Sequence, residues 1–153
     1  MRKILIIVLV FFSISIFAFL HYYNRWKSMW QLEVEHPAYS IAHPVDDTLR
    51  IAIIGDSWAV IHSETMMDTL LASQLNHLTG HPVIVRSKGK GGENSRGIYK
   101  LMFKSERLGT RPIIASGLDY CVVIAGINDA AGNLGTREYC HHMKLILKFL
   151  LSN

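Results

Sequence analysis

The sequence predicts an α/β domain in which a parallel sheet lies between two layers of helices. Three short runs rich in Ile and Val are each followed by a stretch whose apolar residues have helical spacing. Alternation of strands and helices is typical of a parallel sheet with right-handed crossovers. The continuously apolar strands also fit a sheet that is covered on both faces. We therefore expect a three-layer α/β/α architecture, preceded by an N-terminal transmembrane helix.

The transmembrane helix is predicted from an uncharged segment, residues 4–20, which contains neither Pro nor Gly. With the residues that follow, it approaches the roughly 20 residues that a helix needs to cross a bilayer. Arg2 and Lys3 precede it, which predicts a single-pass protein with its globular domain on the extracytoplasmic side. A cleaved signal peptide is the alternative, but the expected small-residue cleavage site is missing. We assign residues 1–23 to a signal anchor, 24–48 to a juxtamembrane connector and 49–153 to the globular domain.

The elements of the globular domain follow from the same patterns. Strands are predicted at 50–55, 82–87 and 120–125. The helices are expected at 65–79, from position 94 or 95 onward, and at 136–151. Thr65 with Asp68, and Asn94 or Ser95, are the expected N-terminal caps. The predicted apolar stripes are Met67, Leu71, Leu75 and Leu78 in the first helix, Ile98, Leu101, Met102 and Leu108 in the second, and Tyr139, Met143, Ile146 and Leu150 in the third.

Charge and cysteine content limit the function classes. The formal net charge is +4, and eight Lys or Arg residues lie between Arg86 and Arg111. No nucleic-acid-binding motif accompanies them, so we expect a solvated basic face and no nucleic-acid partner. Cys121 and Cys140 are too few for a disulfide framework. We expect Cys121 to be a buried thiol, with a disulfide between the two as the less favoured alternative, and we expect neither a metal nor a cofactor.

Each predicted strand ends in small and polar residues. Gly55-Asp56-Ser57-Trp58 follows the first, a glycine-rich loop from Gly89 to Ser95 follows the second, and Gly126-Ile127-Asn128-Asp129 follows the third. The carboxyl ends of parallel strands meet at one edge of the sheet, where ligands bind in open α/β folds. A hydroxyl, flexible backbone N–H groups and a carboxamide are the groups that acyl transfer requires.

With these three blocks the chain resembles the SGNH hydrolases, also called GDSL-type lipases and esterases, over about residues 50–151. The resemblance implies that Ser57 is the nucleophile and that its own N–H, the Gly92 N–H and the Asn128 side chain form the oxyanion hole. It further implies a serine esterase or deacylase acting on esters of acylated carbohydrate or lipid, either small molecules or polysaccharides. Ser87 stands where the family often has Asn. The glycine-rich block is matched by Gly89, Gly92 and Ser95.

Several alternatives are weaker. Ser57 as a mere helix cap explains only the first block, and the sequence around it is not the G-x-S-x-G elbow of α/β-hydrolases. The glycine-rich loop lacks the G-K-[ST] ending of a phosphate-binding loop, and Asn94 stands where a dinucleotide fingerprint requires Gly. We expect Asp56 to hydrogen-bond within the turn rather than to act as a catalytic acid.

The family's fourth block, D-x-x-H, does not occur in this sequence. Glu138 and His141 have the same spacing, but helical spacing places His141 on the charged face of its helix and His142 near the edge of the apolar stripe. Neither histidine is the expected general base. We therefore expect an incomplete hydrolase domain, and the alternative function is a non-catalytic, truncated or degenerate member that at most binds such ligands.

Overall fold

The computed structural model describes residues 2–30 and 35–153, and within the first helix it describes the side chains of residues 9–23. The chain divides into two compact units, Met1–Leu32 and Glu33–Asn153. The first unit contains helix α1, Arg2–Trp30. Among the described residues, no helix carries an apolar stretch long enough to cross a membrane. Within the predicted anchor at 1–23, the side chains of residues 9–23 are described and those of residues 1–8 lie outside the described part.

The second unit is an α/β fold built on a parallel sheet, as the sequence predicts. Over residues 35–153 the sheet has three strands in the order β2–β1–β3, and β1 pairs in parallel with both neighbours. The predicted strands are confirmed to within two residues at each end. The elements are β1 Leu49–Gly55, α2 Ser57–Glu64, α3 Met67–Thr79, β2 Val83–Gly89, α4 Ser95–Leu101, α5 Arg111–Ala115, β3 Tyr120–Ile124, α6 Ile127–Ala131 and α7 Gly135–Ser152.

The two faces of the sheet contact different helices. One face presents Ile54 and Val123 to α4, α5 and α7, and the main apolar core lies there. The opposite face presents Ser87 of β2 to α2 and α3. Gly89 allows α2 to approach closely, because a Cβ at that position would lie 2.9 Å from the Cβ of Ala59. The core comprises Ile41, Ile54, Ile98, Tyr99, Met102, Ile114, Leu145, Ile146 and Phe149.

The start of the predicted 65–79 helix is wrong, because two helices with a break between them occupy this region. Helix α2 has no counterpart in the prediction, and it ends where the Thr65 hydroxyl donates to the carbonyl of Ile61 at 2.6 Å. Met66 then adopts a left-handed conformation with φ of 59°, and α3 begins without a side-chain cap. Asp68, the expected partner in the cap, instead accepts the backbone N–H of Ser87 at 3.1 Å. The predicted cap at Asn94 is confirmed, since its Oδ1 accepts the Gly97 N–H at 2.9 Å.

The predicted apolar stripes are only partly confirmed. Helix α3 has no buried side chain, and Leu78 is 78% exposed, because the helix packs mainly along the edge strand β2. Leu108 is also exposed and lies beyond the end of α4. In α7 the buried face is rotated relative to the prediction: of the predicted stripe, Ile146 is buried, and Met143 and Leu150 are half-buried at the edge of the core. Its buried residues are Glu138, His142, Leu145, Ile146 and Phe149.

The two cysteines are free thiols. Cys121 is half-buried and Cys140 is exposed, so the alternative of a disulfide between them is not realised in this structure. Burial raises the pKa of the Cys121 thiol to about 12. Cys121 therefore packs against the core as an uncharged side chain at neutral pH.

Candidate functional site

The turn after β1 is organised by a fully buried carboxylate, Asp56. Its Oδ1 accepts the backbone N–H of Trp58 at 3.0 Å, which caps the N-terminus of α2. Its own backbone N–H donates to the carbonyl of Ile124 at the end of β3, at 3.3 Å. The predicted hydrogen-bonding role of Asp56 is confirmed, and these bonds hold the ends of β1 and β3 side by side.

Ser57 is the first residue of α2 and is half-buried. Within the described part of the chain, its hydroxyl has no hydrogen-bond partner. The glycine-rich loop passes close by, because a Cβ on Gly91 would lie 4.0 Å from the Cβ of Ser57. The N-terminus of a helix carries partial positive charge, so this position favours a negative charge that develops beside Ser57.

The glycine-rich loop is fixed at its base and tightly turned at its centre. The N–H of Lys90 donates to the carbonyl of Gly55 at 3.2 Å, which joins the loop to the end of β1. Gly92 has φ of 75°, a conformation that residues with a Cβ rarely adopt. No described atom lies within 4 Å of where a Cβ of Gly92 would be, so the loop is open on that side. Lys90 and Glu93 form an ion pair across the turn.

Asn128 lies in α6 and joins the three strand ends. Its Nδ2 donates to the carbonyl of Glu93 at 2.8 Å and to Oδ2 of Asp56 at 3.4 Å. The side chain therefore contacts the loop after β2 and the turn after β1, although it belongs to the segment after β3. The carboxamide is half-buried.

A second polar pair, Ser95 and Asp129, supports the same edge, and sequence reasoning did not predict the contact between them. Asp129 is buried, and its carboxylate accepts the backbone N–H of Ser95 at 2.9 Å and the Ser95 hydroxyl at 2.5 Å. The bonds attach α6, which follows β3, to the start of α4, directly after the glycine-rich loop. The sequence did carry a signal for this contact, because Ser95 ends the glycine-rich block and Asp129 ends the block after the third strand.

The two histidines of α7 have different environments. His142 is fully buried, so the expectation that it lies at the edge of the apolar stripe is wrong. Its ring lies 6.5 Å from that of Tyr99 and 5.2 Å from that of His141, measured between centroids. His141 is half-buried. Neither histidine hydrogen-bonds to the Ser57 hydroxyl.

The third block also borders a cavity of about 410 Å³ that does not include Ser57. Its lining residues are Gly126, Asp129, Ala130, Asn133, Gly135, Thr136 and Tyr139.

The structure thus brings the three predicted blocks to one edge of the sheet. Asn128 hydrogen-bonds to Asp56 in the turn that precedes Ser57 and to Glu93 in the loop that carries Gly92. The same loop passes close to Ser57 at Gly91. Such an edge presents a hydroxyl together with backbone and amide N–H donors. No family model matches the chain, and no curated protein matches its sequence.

Proposed function

We propose that this chain is a serine ester hydrolase of the SGNH, or GDSL, type, with a three-layer α/β/α domain that hydrolyses esters of acylated carbohydrate or lipid. Ser57 is the nucleophile in this proposal, and the oxyanion donors are the N–H groups of Ser57 and Gly92 and the Asn128 amide. The observation that supports it best is the pair of hydrogen bonds from Asn128 to Glu93 and Asp56. These bonds hold a carboxamide at the edge where Ser57 begins α2.

The proposed reaction is acyl transfer to Ser57 followed by hydrolysis. The Ser57 oxygen bonds to the acyl carbon, and the carbonyl oxygen takes up negative charge that the three N–H donors stabilise. The C–O bond to the alcohol then breaks, and the alcohol leaves with the proton that the Ser57 hydroxyl gave up. In the second half, water bonds to the acyl carbon and the bond to the Ser57 oxygen breaks, which releases the carboxylic acid and returns a proton to Ser57. One oxyanion donor typically stabilises the transition state by about 3–4 kcal/mol.

A non-catalytic ligand-binding domain is the second candidate, and one observation favours it. In residues 35–153 no general base hydrogen-bonds to Ser57, and assistance by such a base typically contributes about 10²–10⁴ in rate. A domain without a base can still bind an ester at the same edge. It would then retain the ligand without releasing products.

Covalent labelling tests the assignment of the nucleophile. The full-length chain, Ser57→Ala and the control Ser63→Ala are each treated with a fluorophosphonate probe. Ser63 is an exposed residue of the same helix whose hydroxyl donates only to the carbonyl of Val60. We expect labelling of the wild type and of Ser63→Ala, and none of Ser57→Ala. Labelling that persists in Ser57→Ala would place the nucleophile elsewhere.

Ester turnover separates the two candidates. We expect slow release of p-nitrophenol from short p-nitrophenyl esters by the full-length chain, and none by Ser57→Ala. Saturable retention of an ester without product release, together with no labelling at Ser57, would favour the non-catalytic domain.

We further propose that the chain is anchored in a membrane by its N-terminal segment, with the globular unit on the extracytoplasmic side. The proposal rests on the uncharged residues 4–20, which lie within the continuous helix α1. We expect the protein to remain with membranes after a carbonate wash and to keep an N-terminal tag. Release of a shortened soluble form would indicate a cleaved signal peptide instead.

A further inference from the structure

We propose that Asp56 is a positioning residue for the oxyanion hole, because its carboxylate fixes the direction in which the Asn128 carboxamide points. The inference rests on the proposed function, in which Asn128 is an oxyanion donor. It assigns Asp56 a second role beyond capping α2: one carboxylate sets both the turn that carries the nucleophile and the orientation of the side-chain donor.

The inference rests on the two carboxylate oxygens of Asp56, which have different partners. Oδ1 accepts the Trp58 N–H at 3.0 Å, and Oδ2 faces Nδ2 of Asn128 at 3.4 Å. Asp56 is fully buried, so these interactions are weakly screened by solvent. The carboxylate therefore couples the first turn of α2 to a side chain that follows a different strand.

The chemistry of the amide explains why a carboxylate is needed here. A carboxamide has a donor end and an acceptor end of nearly equal size, and its hydrogen-bond partners decide which way it points. Both partners of Asn128 at this site are acceptors, namely Oδ2 of Asp56 and the Glu93 carbonyl. Rotating the amide by half a turn would bring its oxygen against two acceptors. The two acceptors thus keep the NH₂ group directed at the Asp56 carboxylate and the glycine-rich loop.

The lengths of the two bonds indicate which one is exchanged when an ester binds. The 2.8 Å bond to Glu93 is of ordinary length and also fastens the loop that contains Gly92. The 3.4 Å contact with Asp56 is long, so the N–H that makes it is the one available to a developing oxyanion. Asp56 neither gains nor loses a proton in this role, and no bond to the substrate forms at it.

Asp56→Asn tests the inference. Its side-chain oxygen can still accept the Trp58 N–H, but its NH₂ group then faces the NH₂ group of Asn128. We expect the rate of fluorophosphonate labelling to fall by about 10- to 100-fold, which is part of the effect of losing an oxyanion donor, with little change in the half-saturating probe concentration. In an Asn128→Ala background the same substitution should change the rate by less than about twofold. Independent, multiplicative effects of the two substitutions would overturn the inference.

Two further variants separate positioning from folding. Asp68→Asn is the matched control, because Asp68 also accepts a backbone N–H, that of Ser87, but does not contact Asn128; it should label within about twofold of the wild type. Asp56→Ser retains a helix-capping oxygen but is too short to reach Asn128. It should reproduce the labelling defect of Asp56→Asn with a native circular dichroism spectrum. Normal labelling of a folded Asp56→Ser would overturn the inference.

A measurement that needs no activity distinguishes this inference from the proposed function. In ¹⁵N-labelled protein we expect the side-chain amide signals of Asn128 to shift in Asp56→Asn and to remain unchanged in Asp68→Asn. Shifted signals together with no labelling at Ser57 in any variant would contradict the proposed function and leave the positioning contact standing. Unshifted signals together with normal labelling would contradict the positioning role alone.

Discussion

The two faces of the sheet differ sharply in how well they are packed. The face covered by α4, α5 and α7 holds most of the buried apolar side chains of the described chain, including Ile98, Ile146 and Phe149. On the opposite face, α2 buries only Ala59 and α3 buries nothing. The nucleophile proposed above begins α2, so the chemistry lies on the more weakly packed face. Weakly packed segments open more readily, and functional segments are often drawn from them.

On the sheet face that α2 and α3 contact, side chains of β3 are exposed to solvent. Val122 of β3 is paired with Ile53 of β1, so both point to the side of α2 and α3. Ile53 is buried, but Val122 is 47% exposed and Tyr120 is 62% exposed. Within residues 35–153, α2 and α3 lie over β2 and β1, and neither helix extends over β3 on that side.

The largest effect is expected from truncating a core side chain, Ile146, and it contrasts with the effect of truncating Leu71 on the opposite face. Ile146→Ala should lower the free energy of unfolding by about 2–5 kcal/mol, because Ile146 is fully buried. Leu71→Ala on α3 should cost only about 1 kcal/mol, because Leu71 is half-buried. Urea unfolding of the two variants measures both values. Equal costs would show that the two faces contribute equally to stability.

The next comparison is between the residues that precede α4 and α3, Asn94 and Met66. Asn94→Ala should destabilise by about 1 kcal/mol, because the Asn94 side chain caps α4. Met66→Gly at the start of α3 should be neutral or stabilising, because a left-handed conformation costs a residue with a Cβ about 1–2 kcal/mol. Thermal unfolding of both variants reports the difference. A cost for Met66→Gly similar to that of Asn94→Ala would mean that contacts of the Met66 side chain outweigh the backbone strain.

Glu138, on the better-packed face, is a buried side chain that lowers the stability of the folded state. It is 2% exposed, and within the described residues neither carboxylate oxygen has a hydrogen-bond partner. Burial raises its pKa above the ordinary value of a glutamate, an effect that Asp129 reinforces and that Arg96, Arg137 and His141 oppose. Because the folded state then holds the proton more tightly than the unfolded state, this group lowers stability as the pH rises above about 4.3.

Glu138→Gln removes this penalty. We expect the variant to be more stable than the wild type at pH 7, by on the order of 1 kcal/mol, and the advantage to shrink toward pH 4. Melting temperatures measured between pH 4 and pH 8 test the sign. An advantage that grows as the pH falls would contradict it.

The smallest effect on stability is expected at the uncovered part of β3. Val122→Lys should change the free energy of unfolding by no more than about 0.5 kcal/mol but should reduce aggregation, because charge on an exposed edge strand opposes strand pairing between molecules. β2, the other edge strand, already carries Arg86 and Lys88. Ile84→Lys on β2 is the control and should change aggregation less, as light scattering at matched concentrations would show. A larger gain from Ile84→Lys would mean that β2 is the edge that associates.

Local patterns in the sequence were sufficient to determine the three strands, their alternation with helices and one helix cap. The three apolar runs became β1, β2 and β3, because short runs rich in Ile and Val that end in glycine or polar residues favour strands. Asn94 caps α4 through a bond to a residue three positions away, which a sequence pattern can encode. The convergence of the three polar blocks also followed, because parallel strands all end at the same edge.

Only the tertiary structure decided the features that depend on contacts between distant residues. Asp68 was predicted to cap its own helix but bonds to β2, and α7 is rotated so that Glu138 and His142 face the core. Asn128 is oriented by Asp56 and Glu93, which lie 72 and 35 residues away. Helical periodicity identifies an apolar face only approximately, and a polar side chain near its edge is buried or exposed according to the neighbouring element. Hydrogen bonds across such separations leave no local pattern, because they arise only when the strands are already side by side.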